Sequence, residues 1–248
     1  MDCFQSYRIK HFDTLDSTNA EAHRMVASGV DGNGLLLWAD YQQAGRGQTG
    51  NHWESDAGKN LLLTLCVRPT FLQSKNQFLL SEVVSLAACT TLNDQVGGFV
   101  VKWPNDIYYD VKKVCGILIE LTLTSAYVAQ SFIGIGINVN QDLFNSDAPN
   151  PVSLKQITGK TFDREELLHL FLHYFDYYYN KLERCQYQHI RQEYKEMLFR
   201  RDGMHPYRDA NGLFLAQIVD VLQDGHLILR DEENRERRYM FKEVECVL

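Results

Sequence analysis

Between residues 34 and 139 the chain is built from short runs rich in Val, Ile, Leu and Tyr, at 34–41, 59–68, 99–103, 113–121 and 127–139. Runs of that composition and length read as strands. One stretch breaks the pattern: over 76–96, Phe78, Leu79, Val83, Leu86, Ala87 and Leu92 recur at helical spacing until Gly97-Gly98 stops the helix. The result is a sheet with helices packed on it. From Asp163 the spacing turns helical again, with Leu167, Leu168, Phe171, Leu172, Phe175 and Tyr178 in one wide apolar stripe, and a second helix spans 189–199. Beyond Arg201-Asp202-Gly203 short strands return, with turn signals at Ala210-Asn211-Gly212, Gln223-Asp224-Gly225 and Glu232-Glu233-Asn234. This texture predicts a small β-barrel appended to a larger body, with domains 1–200 and 201–248.

Two local signals refine this outline. Thr18-Asn19-Ala20-Glu21 has the T-x-x-E form of a capping box and opens a helix that Gly29 can close. Asp110-Val111-Lys112 reads as a hairpin tip between Ile107-Tyr108-Tyr109 and Lys113-Val114. At 248 residues, 45% hydrophobic and 23% charged, the chain can bury a genuine core. Its net charge of −7 opposes general attraction to a phosphate backbone, so no nucleic-acid partner is expected. The six cysteines show no C-x-x-C pair and read as reduced core residues. The N-terminus carries no signal-peptide pattern and no run is long enough to span a bilayer, which predicts a soluble, cytoplasmic protein without a membrane partner.

Gly45-Arg46-Gly47-Gln48-Thr49-Gly50 matches G-x-G-x-x-G. A dinucleotide fold needs a helix directly after that motif, and the exit Asn51-His52-Trp53-Glu54-Ser55-Asp56 leads into an apolar strand instead. A kinase loop would be followed by H-R-D and D-F-G, which are absent. Three glycines in six residues can also mark a plain surface loop. Arg46 among them argues for an anion site in which backbone N–H groups sit beside one guanidinium.

Three further segments carry chemistry. In Lys102-Trp103-Pro104-Asn105-Asp106 the proline ends a strand and leaves Lys102 and Asp106 near its end, although Asn-Asp after Pro is also ordinary turn chemistry. Lys113 enters an otherwise apolar strand three residues before Gly116, either as a functional cation or as a solvated strand end. In Gly134-Ile135-Gly136-Ile137-Asn138 the alternating glycines admit a close approach to the backbone or mark a bulge, and Asn138 offers both a donor and an acceptor. His169 and His173 lie i, i+4 on a helix without the H-E-x-x-H glutamate, so a packing role is expected rather than zinc. Tyr177-Tyr178-Tyr179 likewise reads as helix packing.

Taken in order, Ser17-Thr18-Asn19, Gln42-Gln43-Ala44-Gly45-Arg46-Gly47 with Trp53, Lys102-Trp103-Pro104-Asn105-Asp106, Lys113 with Gly116, and Gly134-Ile135-Gly136-Ile137-Asn138 resemble the biotin protein ligase family over nearly the whole chain. The resemblance implies an α/β (α+β) fold, a mixed β-sheet flanked by helices with a small C-terminal SH3-like β-barrel. It implies an ATP-dependent ligase that makes biotinyl-5′-adenylate from biotin and MgATP and passes biotin to a lysine of a biotin carboxyl carrier domain. The catalytic residues would be Arg46, Lys113 and Asp106, with Asp106 also holding Mg²⁺. Biotin would meet Ser17, Thr18, Asn19, Gln42, Gly45, Arg46, Lys113, Gly116 and Leu118. ATP would meet Gly47, Gln48, Trp53, Lys102, Asn105 and Asn138. Monomer and homodimer both remain open.

Many bacterial members read Gly-Arg-Gly-Arg-x-Gly-Arg in the loop, where this chain has Gln48, Thr49 and Asn51 and so two fewer positive charges over the adenylate. Bifunctional members carry an N-terminal winged helix-turn-helix; with 16 residues before Ser17, transcriptional regulation is not expected. The rival enzyme is a lipoate ligase or octanoyltransferase, whose Arg-Arg-x-Ser-Gly-Gly-Gly-type signature is absent. A rival of another class is a non-catalytic biotin-binding module, against which Arg46, Asp106 and Lys113 stand intact.

Overall fold

The computed structural model describes residues 7–48, 51–145 and 150–248; Cys3 and the N-terminal hexapeptide, Thr49 and Gly50 lie outside them. Seven strands form a mixed sheet in the order β1-β2-β3-β7-β6-β5-β4. These are β1 (Arg8–Leu15), β2 (Leu35–Gln42), β3 (Leu61–Val67), β4 (Phe99–Lys102), β5 (Asp106–Tyr109), β6 (Lys112–Leu123) and β7 (Val128–Ile137). β1 runs parallel to β2; every other pairing is antiparallel.

The sheet is covered on both faces, and its central strand shows it. All seven residues of β3, Leu-Leu-Leu-Thr-Leu-Cys-Val, are buried, the signature of a strand enclosed from two sides. Strand periodicity sorts β2 in the same way: Leu36 and Trp38 join the main core, whereas Leu35 and Leu37 turn to a smaller core with Ala22, Cys66 and Phe132 under α1 (Thr18–Ala27). Against the main face pack α2 (Phe78–Gln95), α4 (Arg164–Glu183) and α5 (Tyr187–Glu196), with the short α3 (Leu154–Thr158) following the β7 exit.

Strand β1 has no apolar run to reveal it. Its residues are mostly exposed, and its place rests on ladder bonding to β2 at the sheet edge. The capping box expected at Thr18 does not form. Ser17 is the N-cap residue, Glu21 pairs with Arg24, and the Thr18 amide donates instead to Gln42 Oε1 from β2 at 2.7 Å. A true capping box opens α3, between Ser153 and Gln156, and Gly159 ends that helix at φ 73°. The strand expected at 99–103 continues as a hairpin: Trp103, Pro104 and Asn105 turn the chain so that Lys102 pairs with Asp106 across β4 and β5.

Beyond residue 200 lies a five-stranded antiparallel sheet, ordered β11-β10-β9-β8-β12. It comprises β8 (His205–Asp209), β9 (Gly212–Val221), β10 (Leu227–Asp231), β11 (Glu236–Tyr239) and β12 (Glu245–Cys246). Among the described residues β11 and β12 stand at its two edges, with no ladder pairing between them. Its Tyr207, Ala216, Leu227 and Leu229 belong to the same buried cluster as the large sheet. Cys66, Cys89 and Cys115 are buried and free; Cys185, at an exposed position after α4, departs from the expected core role.

Candidate active site

Strands β6 and β7 build the floor of a cavity of about 600 Å³. Gly116 pairs with Gly136, Leu118 with Gly134 and Glu120 with Phe132, so residues at period two point to one face. The glycines make room for specific side chains. A Cβ on Gly136 would lie 2.4 Å from the Trp53 indole, and one on Gly134 would lie 2.4 Å from Asn19 Oδ1. The close approach expected at this motif is therefore made by Trp53 and Asn19.

The glycine loop is a small hairpin. Arg46 bridges to His52, the Gly47 amide donates to Asn51 O, and the Trp53 amide donates to Gly45 O. Gly45 is needed because a Cβ there would meet Trp53 O at 2.6 Å. Among the described residues the amides of Gly47, Asn51 and Trp53 are spent on bonds within the hairpin. The hairpin lines the cavity with Arg46, Gly47, Gln48, Asn51, His52 and Trp53, and Arg46 is the fixed cation among them. Gln48 reaches across to Asn105, Nε2 to Oδ1 at 3.3 Å.

At the α1 end, Thr18 Oγ1 donates to Gln42 Oε1 and accepts from Thr64 Oγ1 at 2.8 Å, while Thr64 also bonds Asn19. The Ser17 side chain makes no capping bond and lines the cavity. At the other end a register shift between β5 and β6 sets Lys113 opposite Tyr108. Lys113 Nζ sits 2.7 Å from Asp106 Oδ2 and 5.9 Å from the Trp53 ring. Two cavity-lining groups keep an orphaned polar atom, Trp53 Nε1 and Asn138 Oδ1, both buried without a protein partner. A buried donor and a buried acceptor left open cost roughly 1 to 3 kcal/mol each unless a ligand completes them.

Of the residues expected at the site, Ser17, Thr18, Asn19, Gln42, Arg46, Gly47, Gln48, Trp53, Lys102, Asp106, Lys113, Gly116, Leu118 and Asn138 line this one cavity. Gly45 and Asn105 do not; one shapes the hairpin and the other, buried, anchors Gln48. Sequence reasoning missed Phe241, which reaches the cavity from the C-terminal sheet, and Glu120, which bonds Arg46. Glu120 carried a readable signal, lying two residues past Leu118 on one strand face. Phe241 carried none. His169 pairs with Glu165, and a metal-type grouping among the described residues is formed by His11, Asp13 and Asp40.

Residues 12–138 match the model of the biotin/lipoate A/B protein ligase family. The chain belongs to that family. Among its relatives is a bifunctional ligase/repressor BirA of Bacillus subtilis, 30% identical over 92% of this chain and 71% of the relative. A biotin–[acetyl-CoA-carboxylase] ligase of Paracoccus denitrificans is 31% identical over 89% of this chain and 93% of its own. The biotin protein ligase of Aquifex aeolicus, solved in complex with biotin and ATP, superposes with a TM-score of 0.80 at 25% identity, covering 97% of this chain and 99% of that one. Among the described residues no helix is long and apolar enough to cross a membrane.

Proposed function

We infer that this member of the family is a biotin protein ligase, which condenses biotin with ATP to biotinyl-5′-adenylate and transfers biotin to a lysine of a biotin carboxyl carrier domain. The observation that carries the reading is the convergence in one cavity of Arg46, Lys113 and Asp106 with hydrogen-bonding side chains at the α1 end. Relatives named as biotin–[acetyl-CoA-carboxylase] ligases support the substrate and the acceptor.

The chemistry follows from charge. A biotin carboxylate oxygen attacks the α-phosphorus of ATP, the new C–O–P link forms, and the bond to the β-phosphate oxygen breaks to release pyrophosphate. Two anions must approach, so fixed cations at that point lower the barrier. Arg46 and Lys113 supply them. The carrier amine then attacks the carbonyl of the mixed anhydride, losing a proton as AMP leaves. Ser17, Thr18 and Gln42 present hydrogen-bonding groups to the ureido ring, and Gly116 and Leu118 border its apolar path. Asn138 Oδ1 accepts from the adenine or the ribose, and Trp53 offers its indole face to stack on adenine.

Magnesium bound with ATP would add positive charge at the phosphates. Asp106 fits that need, because Mg²⁺ takes one or two carboxylates and completes its shell with phosphate oxygens and water. Mass spectrometry of the enzyme mixed with biotin and MgATP tests the reading. Biotinyl-5′-adenylate is the expected product; pyrophosphate exchange supported by lipoate or octanoate in place of biotin would overturn it.

A further inference from the structure

Two cations of the site, Arg46 and Lys113, are engaged by carboxylates. Lys113 holds Asp106, which lines the cavity. Arg46 holds Glu120, which stands beside the cavity on β6 and has no assigned role. A single oxygen, Glu120 Oε2, receives Asn19 Nδ2 at 2.8 Å, His23 Nε2 at 3.2 Å and Arg46 at 3.3 Å.

Two of these partners are fixed by the fold. Asn19 is seated over Gly134 and bonded by Thr64, and His23 stacks on Phe132 with ring centroids 3.7 Å apart. Both belong to α1, so the carboxylate has a rigid mount. Arg46 alone comes from the glycine hairpin. Its contact is the longest of the three, between side chains 45% and 32% exposed, and such a pair is weak enough to exchange.

We propose that Glu120 is a positioning residue that holds the Arg46 guanidinium at the cavity wall in the ligand-free enzyme and competes for it with the anionic group of the ligand. A carboxylate mounted beside the cavity matches the chemistry of the group Arg46 meets in the reaction. The hairpin is thereby oriented before substrate arrives, at a cost to the affinity for any ligand bearing a carboxylate. This inference rests on the reading that Arg46 meets the biotin carboxylate.

Calorimetric titration of the full chain with biotin and with biotinol, its neutral alcohol analogue, tests it. Glu120→Gln keeps an oxygen for Asn19 and His23 but removes the competing charge. That variant should bind biotin about two- to fivefold more tightly, the range a part-exposed ion pair supports, with biotinol unchanged. Glu120→Asp, which keeps the charge, should retain the wild-type ratio of the two affinities. In an Arg46→Ala background the gain from Glu120→Gln should vanish. Equal weakening of both ligands would assign Glu120 a purely structural role, and a gain that survives Arg46→Ala would assign it direct repulsion of the ligand; either overturns the proposal. A wild-type chain that binds neither ligand would sink the biotin reading itself and the proposal with it.

Discussion

Lys113 and Gln48 show how much one side chain can decide. Lys113 carries its charge at a bulged strand start, against Asp106 and over Trp53. Lys113→Ala removes a preorganised cation and leaves Asp106 without its partner. Losses of this kind cost about 2.7 to 4 kcal/mol, so pyrophosphate exchange should fall by about 10² to 10³, and near wild-type exchange in the variant would refute the assignment. Gln48 stands where many family members have arginine, and it makes one neutral bond to Asn105. A charge-assisted bond is worth roughly 1.5 to 3 kcal/mol against about 1 for a neutral one. Gln48→Arg should therefore slow release of preformed adenylate by about tenfold. Equal off-rates at two salt concentrations would show that the hairpin's own bonds and the Asn105 contact hold the loop.

Among the helices, α2 is the most deeply placed. Most of its faces are covered, and in its second turn lies Glu82, 1% exposed, with Oε2 lacking a hydrogen-bond partner. Burial pushes its carboxyl up to about 8 from an ordinary 4.5, a shift opposed by Arg191 and Lys195 of α5 and reinforced by Asp220 of β9. The folded chain thus keeps a proton that the unfolded chain gives up above pH 4.5. This carboxyl has no effect on stability below that pH, destabilises increasingly as pH rises toward 8, and then levels off. Glu82→Gln should remove that slope, gaining on the order of a few kcal/mol at pH 8 and little at pH 5. Denaturant unfolding at the two pH values measures it; an equal gain at both would mean that Glu82 is already ionised in the fold. Elements also show where periodicity reaches its limit. Strands β2, β3, β6 and β7 and helices α2 and α4 declare themselves through apolar period, but β1 is an exposed edge strand and α3 spans five residues, so neither has a stripe to read.

At the scale of the molecule the site depends on contacts between the two sheets. Trp103 turns the β4–β5 hairpin, donates Nε1 to Gly225 O at 3.0 Å and packs its ring near Phe241, which reaches the cavity. Trp103→Phe should keep most of the packing and lose about 1 kcal/mol for the hydrogen bond, whereas Trp103→Ala should cost roughly 3 to 5 kcal/mol if the pocket stays open. Urea unfolding checks the stability, and a rise in the KM for ATP in a Phe241→Ala variant would trace Phe241 to the nucleotide end; an unchanged KM would remove Phe241 from it. The sequence by itself determined the strand and helix alphabet, the family, and about half of the residues that line the cavity, because short-range periodicity and motif spacing are local properties of the chain. Tertiary structure decided what each residue does there. Only the β6–β7 pairing puts Gly136 under Trp53 and Gly134 under Asn19, only the packing of α1 brings Asn19 and His23 to Glu120, and only the second sheet delivers Phe241. These contacts join positions far apart in the chain, where a one-dimensional pattern carries no record of which side chains the fold will bring within a hydrogen bond.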